Sequence, residues 1–414
     1  MVGSAEREVT SRRDGAVLAP GATLGVVGGG QLGAMFAMAA KRMGYRVEAY
    51  SDVADCPAAH HCDRVHVGAF TDTAALEAMA RGLDAVTFEF ENVSAESLRA
   101  LARAVPVRPA PEVLHTTQDR GREKRFLVRE GFACVPHRVV HSREELHAAV
   151  AAIGLPAVVK TAAFGYDGKG QRALAADAGR DAIDAAWQAL AGGAAGAGPT
   201  AEDAGRELIL EAWIDFTCEI SVVAARGLDG ATAVFAPTRN LHRHHILDVA
   251  SAPAELPAEV LDTARRLAAS ILDTLGVVGV ACVEFFVARD GRVLVNEIAP
   301  RPHNSGHLTI AACATSQFEQ QVRAVCGLPL GSPRQLAPAA MANLLGDCWV
   351  RGEPDWASAL AVPGVSLMLY GKRDPRPGRK MGHLTAVADT VAEAIARVQR
   401  ARALACRDAS ANEE

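Results

Sequence analysis

Several things are scarce in this chain, and each scarcity excludes a class of protein. Its nine cysteines include no C-x-x-C pair and are odd in number, which argues against a disulfide framework and for a reducing compartment. No apolar run approaches the length of a membrane-spanning helix. The first twenty residues are polar, mixed in charge and lack an apolar segment, so they read as a flexible tail rather than a secretory signal. A formal net charge of −5 gives no general attraction to nucleic acid or to an anionic membrane. Aromatic residues make up only 5%. What the chain does have is bulk. With 414 residues, half of them hydrophobic, it can bury sizeable cores in two or three domains. The expectation is a soluble cytoplasmic protein.

The richest stretch runs from residue 280 to 307, V-A-C-V-E-F-F-V-A-R-D-G-R-V-L-V-N-E-I-A-P-R-P-H-N-S-G-H. Two apolar runs rich in β-branched and aromatic residues flank Asp290-Gly291, which predicts a hairpin with a two-residue type I′ turn. In that register Arg289 faces Arg292, Phe286 faces Val295 and Glu284 faces Glu297. Two carboxylates opposed at roughly 5 Å would repel by about 3 kcal/mol at an effective dielectric of about 20. A hard divalent cation between them converts repulsion into binding; a solvated, salt-bridged sheet face is the plainer alternative. The loop that follows, residues 299–307, is too polar for a core strand and too rich in Pro and Gly for a helix. Donors crowded beside a paired-carboxylate hairpin read as an active site.

Upstream, residues 24–27 form a short buried strand, followed by Gly28, Gly30 and Gly33 in a G-x-G-x-x-G run that opens a helix. That context suits a dinucleotide, and Asp52 lies near the end of the next strand, so an NAD-dependent oxidoreductase is an alternative. Any phosphate or sugar can use the same helix N-terminus. Cys56, His60, His61, Cys62, Asp63 and His66 match no zinc spacing and read as a structural loop. Residues 85–92 form a third strand whose alternation sets Glu89 and Glu91 on one side, either at a ligand crevice or on the surface. Prolines between 106 and 111 mark a domain boundary, and a basic helix opens near Arg120.

Residues 157–161 are a strand ending at Lys160, leading into the glycine-rich cationic loop Gly165, Tyr166, Asp167, Gly168, Lys169, Gly170, Gln171. Such a loop can close backbone N–H groups on phosphate oxygens, though a mobile surface loop has the same composition. Residues 191–205 read as a disordered Ala/Gly excursion. A strand over 208–214 carries Glu211, and Glu219 follows in a second; both acids could accept from an adenine amino group and ribose hydroxyls. Residues 240–245 read as a polar turn, whose three histidines could ligate a metal but fit an ordinary loop. A helix spans 256–276. Beyond Pro329 come short strands, a basic element with Lys372, Arg379 and Lys380, and a last helix from 390 to about 405.

Taken in order, G-G-G-Q-L-G, F-E-F-E-N, G-Y-D-G-K-G-Q, N-E-I-A-P-R-P-H-N-S-G-H and G-K-R…G-R-K-M-G-H resemble the ATP-grasp superfamily over roughly residues 24–405. The resemblance is closest to its branch that carboxylates aminoimidazole ribonucleotide in purine biosynthesis. It implies an α/β and α+β architecture: an ATP-grasp fold with an N-terminal Rossmann-like (pre-ATP-grasp) domain and a small C-terminal β-rich domain. The implied division is 21–115, 116–331 and 332–405, with tails at 1–20 and 406–414. The implied reaction joins bicarbonate to the ribonucleotide amine with ATP, through carboxyphosphate, releasing ADP and phosphate. It implies magnesium (manganese substituting), a cytoplasmic homodimer and small-molecule substrates, with no nucleic acid or membrane partner.

The resemblance also implies roles for single residues. Arg120, Lys160 and the loop from Gly165 to Gln171 hold ATP phosphates. Glu211, Ala212, Trp213, Ile214, Glu219 and His242 bind adenine and ribose, with Asn296 and Glu297 against the nucleotide. Glu284 and Glu297 ligate the metal. Arg301 and His303, with Tyr166 and Asp167, are catalytic. Gln31, Leu32, Glu89, Asn304, Lys372, Arg379 and Lys380 receive the ribonucleotide. Two positions depart from the pattern. Ala299 stands where many of these enzymes carry a third metal ligand, Asn, and His245 stands where the family usually has glycine. A sister branch, formate-dependent glycinamide ribonucleotide transformylases, shares some motifs but is expected to carry Asp at the position of Asn304.

Overall fold

The computed structural model describes residues 17–163, 170–191 and 207–407. Most of the Gly165–Gln171 loop, all but the first residue of the 191–205 excursion and most of both tails lie outside the described residues.

Strands β1 (Thr23–Val27), β2 (Arg46–Ser51), β3 (Arg64–Val67) and β4 (Ala85–Phe88) form a parallel sheet in the order β3-β2-β1-β4. β1 is buried along its whole length, as a central parallel strand covered on both faces must be. Helix Gln31–Arg42 covers one face, with Phe36, Ala37 and Ala40 packed on Leu24 and Val26. Helices Thr73–Ala80 and Ala95–Ala102 cover the other, through Leu76, Leu98 and Leu101 on Val27, Val86 and Phe88. β4 stops at Phe88, four residues short of the expected strand. Alternation therefore never reaches Glu91. Backbone donors at the start of helix Gln31–Arg42 draw the Glu89 carboxylate inward, and Glu91 departs toward Arg301.

β5 (His137–Val140), β6 (Ala157–Thr161), β7 (Gln171–Leu174) and β8 (Leu208–Ala212) make a small antiparallel sheet in the order β5-β8-β6-β7. One face packs Ala157, Val159, Leu208 and Leu210 under helices Arg143–Ile153 and Arg180–Ala191. Period-two alternation puts Lys160 and Glu211 on the opposite face. The expected basic helix is Arg120–Arg129, capped by Asp119, whose carboxylate accepts from the Arg122 N–H, and a further short helix, Pro111–Thr117, precedes it.

The remaining strands build one nine-stranded sheet: β9 (Phe216–Arg226), β10 (Thr232–Val234), β11 (Thr238–Arg243), β12 (Ile246–Ala252), β13 (Gly279–Ala288), β14 (Val293–Ala299), β15 (Ala339–Leu345), β16 (Val365–Leu369) and β17 (Lys380–Val387). Its main path is β14-β13-β9-β11-β12-β15-β17-β16, with β10 beside β9. The C-terminal strands thus continue the sheet that carries the Glu284–Glu297 hairpin. Helix Ala258–Thr274 buries one face through Ala264, Ala268, Ile271 and Leu272, and helix Val391–Ala405 covers the C-terminal strands.

Three expectations need correction. The β13–β14 turn is a three-residue loop, since Ala288 N–H donates to Arg292 O and Gly291 N–H donates to Ala288 O, with only Gly291 at positive φ (84°). Pairing below the turn is displaced by one: Phe285 faces Val295 and Phe286 faces Leu294. A bulge at Asn296 then restores the register, so Glu284 does face Glu297. Second, residues 240–243 are strand, not turn. The turn itself is His244 and His245, both at positive φ (50° and 64°), the backbone of a tight hairpin connection that favours glycine or asparagine. The glycine that the resemblance implies at the position of His245 would suit this backbone without strain. Third, Cys348 and Cys406 are disulfide-bonded across 58 residues. The final helix, lying along β15, brings Cys406 back to the turn Gly346–Trp349, a proximity that spacing alone does not reveal. Seven other cysteines are free thiols.

Candidate active site

The hairpin supplies the centre. At the Asn296 bulge two successive side chains, Asn296 and Glu297, escape full burial while their neighbours Val295 and Ile298 are buried, which is how a bulge re-aims side chains. Glu284 holds its proton above the ordinary carboxylate range, first through burial and next through the facing Glu297. The His303 Nε2 lies 3.3 Å from Glu284 Oε1. Burial, then the nearby Arg301 and Lys380 charges, keep His303 well below the usual imidazole range and so neutral. Its Nδ1 sits 2.8 Å from Ser305 Oγ. Arg301 reaches Glu91 at 2.8 Å.

Beside the carboxylates, Glu219 on β9 and His242 on β11 form an ion pair. Burial opposes charge on that imidazole, but the Glu219 hydrogen bond and charge outweigh it and raise its pKa. Lys380 lies close enough to act electrostatically on Glu284, His242 and His303. Hence residues from three stretches, 219–242, 284–303 and 380, converge on one sheet face. Among the described residues, Cys56, His60, His61, Cys62, Asp63 and His66 do not form such a group. Cys56 is core, Asp63 bonds Lys41 at 2.6 Å and His66 bonds Glu48 at 2.6 Å.

A second cluster lies on the inner face of the small sheet. Lys160 Nζ donates to Glu211 Oε2 at 2.5 Å, and Lys124 Nζ lies 3.5 Å from Glu211 Oε1 while donating to Asn296 O at 2.5 Å. Burial works against the Glu211 charge, but Lys124 and Lys160 outweigh it and hold its pKa down at about 2. Glu123 accepts from the Ile298 N–H at 2.8 Å. Its pKa is pushed up to about 8 by burial, against Lys124 and reinforced by Glu297. Arg120 Nη1 donates to Thr161 O at 3.1 Å. Trp213 is exposed and, with Ile214, follows the end of β8. Gln171 Nε2 reaches His245 Nδ1 at 3.4 Å, and Gly170 adopts a positive φ of 72°.

Glu123 and Lys124 were not singled out from sequence, because the helix reads as uniformly basic. The signal was there: Glu123, Lys124, Phe126 and Leu127 are spaced to share the inward side. Asn343 was missed as well. Its amide exchanges hydrogen bonds with Asn304, at 3.1 and 2.5 Å, from a strand 39 residues away.

The third cluster joins the chain's two ends. Glu89 accepts from the N–H groups of Gly30 and, at 2.6 Å, Gly33. Gly28 adopts φ 115°, and a Cβ on Gly33 would lie 2.6 Å from Gly28 O, so the loop is tight. Burial raises the Glu89 pKa despite those N–H bonds and the Arg301 and Lys372 charges. The amides that a dinucleotide pyrophosphate would use are taken by this carboxylate, which removes the structural basis of the oxidoreductase alternative. Leu32 packs with Phe318 and Tyr370, and Gln31 opens the helix. Lys372 Nζ donates to Lys380 O at 2.7 Å, and Arg379 Nη1 to Asp374 O at 2.7 Å. Lys372 is thereby near Glu89, and Lys380 near Glu284, although about 300 and 100 residues separate them.

The comparisons with known proteins agree across the chain. Family models match the Ribonucleotide synthetase preATP-grasp domain at residues 21–118, the ATP-grasp domain at 125–318 and the Phosphoribosylaminoimidazole carboxylase C-terminal domain at 339–397. The chain is 42% identical over 370 residues to an N5-carboxyaminoimidazole ribonucleotide synthase of Brucella melitensis, covering 89% of this chain and 97% of that one. It superposes on N5-carboxyaminoimidazole synthetase from Staphylococcus aureus complexed with ADP at TM-score 0.84 and 31% identity, covering 94% and 98%. The Aspergillus clavatus N5-carboxyaminoimidazole synthase in complex with ADP and 5-aminoimidazole ribonucleotide gives TM-score 0.81 and 28% identity, covering 94% and 99%.

Proposed function

This chain belongs to the N5-carboxyaminoimidazole ribonucleotide synthase family, and from that premise we propose how its residues perform the ATP-dependent carboxylation of 5-aminoimidazole ribonucleotide in purine biosynthesis. ATP, bicarbonate and the ribonucleotide amine become ADP, phosphate and the N5-carboxylated product. The observation that carries the reading is the Glu284–Glu297 pair with His303 at 3.3 Å and Arg301 in the same loop.

The donor set fits magnesium: two opposed carboxylates offer hard oxygen ligands, and burial and the Glu297 charge weigh on Glu284 more than the nearby His242 and Lys380 charges relieve it. Glu284 and Glu297 are the proposed ligands, since Ala299 offers no third. Glu284 and Glu297 would hold magnesium (or manganese) there, which would supply charge neutralisation for the transferring phosphoryl group.

The nucleotide lies between the two sheets in this proposal. Glu211, Ala212, Trp213, Ile214, Glu219 and His242 meet adenine and ribose, and Asn296 lines its path. Arg120, Lys160 and the Gly165–Gln171 loop meet the phosphates. Lys160 then exchanges part of its Glu211 contact for phosphate oxygens. Bicarbonate is a poor electrophile, and phosphorylation converts it to carboxyphosphate. Arg301 positions the anion by planar paired donors, and neutral His303 supplies a hydrogen bond without adding charge. Tyr166 and Asp167, in the Gly165–Gln171 sequence, are assigned to exclude water from the labile intermediate. Gln31, Leu32, Glu89 and Asn304 hold the ribonucleotide, and Lys372, Arg379 and Lys380 its 5-phosphate. The divisions 21–115, 116–331 and 332–405 are the proposed domains. We assign a cytoplasmic homodimer; no helix among the described residues is long and apolar enough to cross a membrane.

An ADP-release assay tests the reading. Turnover should require bicarbonate and rise strongly with aminoimidazole ribonucleotide. Turnover with formate and glycinamide ribonucleotide, and none with bicarbonate, would overturn it.

A further inference from the structure

Cys282, Glu284 and His303 bring one sulfur, one carboxylate oxygen and one imidazole nitrogen within 4.8 Å of one another. The arrangement follows from the fold. Cys282 and Glu284 are two apart on β13 and point to the same face. The loop after β14 then carries His303 over them, with its Nε2 3.3 Å from Glu284 Oε1. Ser305 Oγ at 2.8 Å engages His303 Nδ1, and Ser221 Oγ in turn donates to Ser305 Oγ at 2.7 Å. Nδ1 also accepts from the Ser305 N–H at 3.4 Å, which fixes the ring with Nε2 toward Glu284; coordination through Nε2 moves the ring proton to Nδ1, which then donates to Ser305 Oγ, the support that metal-binding histidines have.

The chemistry of this trio differs from that of the Glu284–Glu297 pair. Magnesium takes oxygen ligands in octahedral geometry and has no use for sulfur. Sulfur, imidazole and one carboxylate suit a borderline-soft ion in tetrahedral geometry, with the fourth position left to water. Ligand atoms on such an ion stand roughly 3.5 Å apart, so small side-chain rotations close the present spacing. Cys282 is fully buried, whereas the side chains of Glu284 and His303 keep 14% and 16% of their exposure. The ion therefore enters past the carboxylate and the ring and meets the sulfur last. Coordination forms a sulfur–metal bond, and the thiol proton leaves to solvent.

We propose that Cys282, Glu284 and His303 form a site for a thiophilic divalent cation of the zinc class, and that its occupancy inhibits the enzyme by taking Glu284 and His303. The inhibitory effect rests on the roles given above to those two residues; the site itself does not.

The test uses the full chain. Cobalt(II) alone, added to the ligand-free protein, should give a thiolate-to-cobalt absorption in the near ultraviolet that Zn2+ abolishes and that Cys282→Ala and Cys282→Ser both lack. Absence of that band in the unaltered protein, or an equal band in both folded variants, overturns the site. In the ADP-release assay at fixed magnesium, Zn2+ should inhibit the unaltered enzyme at least ten-fold more potently than either variant, and added magnesium should relieve it. The variants should keep their activity without zinc. A Cys282-dependent band with no zinc inhibition would support the site and overturn the shared role of Glu284.

Discussion

Glu284 and Glu297 face each other across β13 and β14 because two one-residue displacements, at the Arg289–Gly291 loop and at the Asn296 bulge, cancel. The pairing is thus built rather than incidental, and burial with the facing Glu297 outweighs the His242 and Lys380 charges at Glu284.

Replacing either glutamate by glutamine should reduce magnesium-dependent ADP release to background. The variants should unfold cooperatively and at no lower temperature than the unaltered apoprotein, because the change relieves repulsion. Retained magnesium-dependent turnover in both variants would contradict the assignment.

Arg379 and Lys372 belong to a turn whose backbone they also brace. Arg379→Ala should lose a charge-assisted phosphate contact worth about 1.5–3 kcal/mol, raising the KM for aminoimidazole ribonucleotide about ten- to a hundred-fold. The KM for ATP should hardly move. The opposite pattern would place this turn at the nucleotide.

Glu211 neutralises two lysines, one of them buried. Removing one partner of a buried pair costs about 3–5 kcal/mol, so Glu211→Gln should lower stability by that order at pH 7. The folded-state pKa is depressed to about 2, below the ordinary value of about 4.3. The carboxylate's contribution is therefore complete above about pH 4 and lost as pH falls toward 2. Urea midpoints should differ by a constant amount between pH 5 and 8, with the gap narrowing below pH 4. A gap that widens on acidification would contradict the pairing.

His245→Gly should relieve a side chain held at φ 64°. Left-handed backbone costs a non-glycine residue about 1–2 kcal/mol, partly offset by glycine's greater unfolded freedom. A net gain of up to about 1 kcal/mol in chemical denaturation is expected; a loss would show that the Gln171 contact matters more.

The hairpin was legible in the sequence because its signal is local: two β-branched runs, a turn dipeptide and a strict period of two. Its turn type and bulge were not, since Asp290-Gly291 suits both a two- and a three-residue loop, and nothing in Val295-Asn296-Glu297 marks the extra residue. The N-terminal strands at 24–27, 46–50 and 85–88 were readable from equally local apolar runs, whereas β3, which holds His66, reads as loop. Lys372 beside Glu89 and Asn343 beside Asn304 were beyond residue spacing, because separate elements packing together bring them close: Tyr370 against Leu32 of the N-terminal helix, and β15 against the short helix Asn304–Leu308. Family resemblance could name Lys372 and Asn304 without showing those contacts. Lys124 shows the remaining gap. Its inward spacing was present, but a lysine in a basic helix invites a surface reading, and only the packing of β8 and β14 against that helix supplies its partners.

The most direct measurement of the central claim, that ATP activates bicarbonate here, follows the fate of bicarbonate oxygen. With heavy-oxygen bicarbonate, ATP, magnesium and aminoimidazole ribonucleotide, the released phosphate should carry one heavy oxygen per turnover, left behind when carboxyphosphate breaks down. Phosphate without label, while the carboxylated product still forms, would contradict the account.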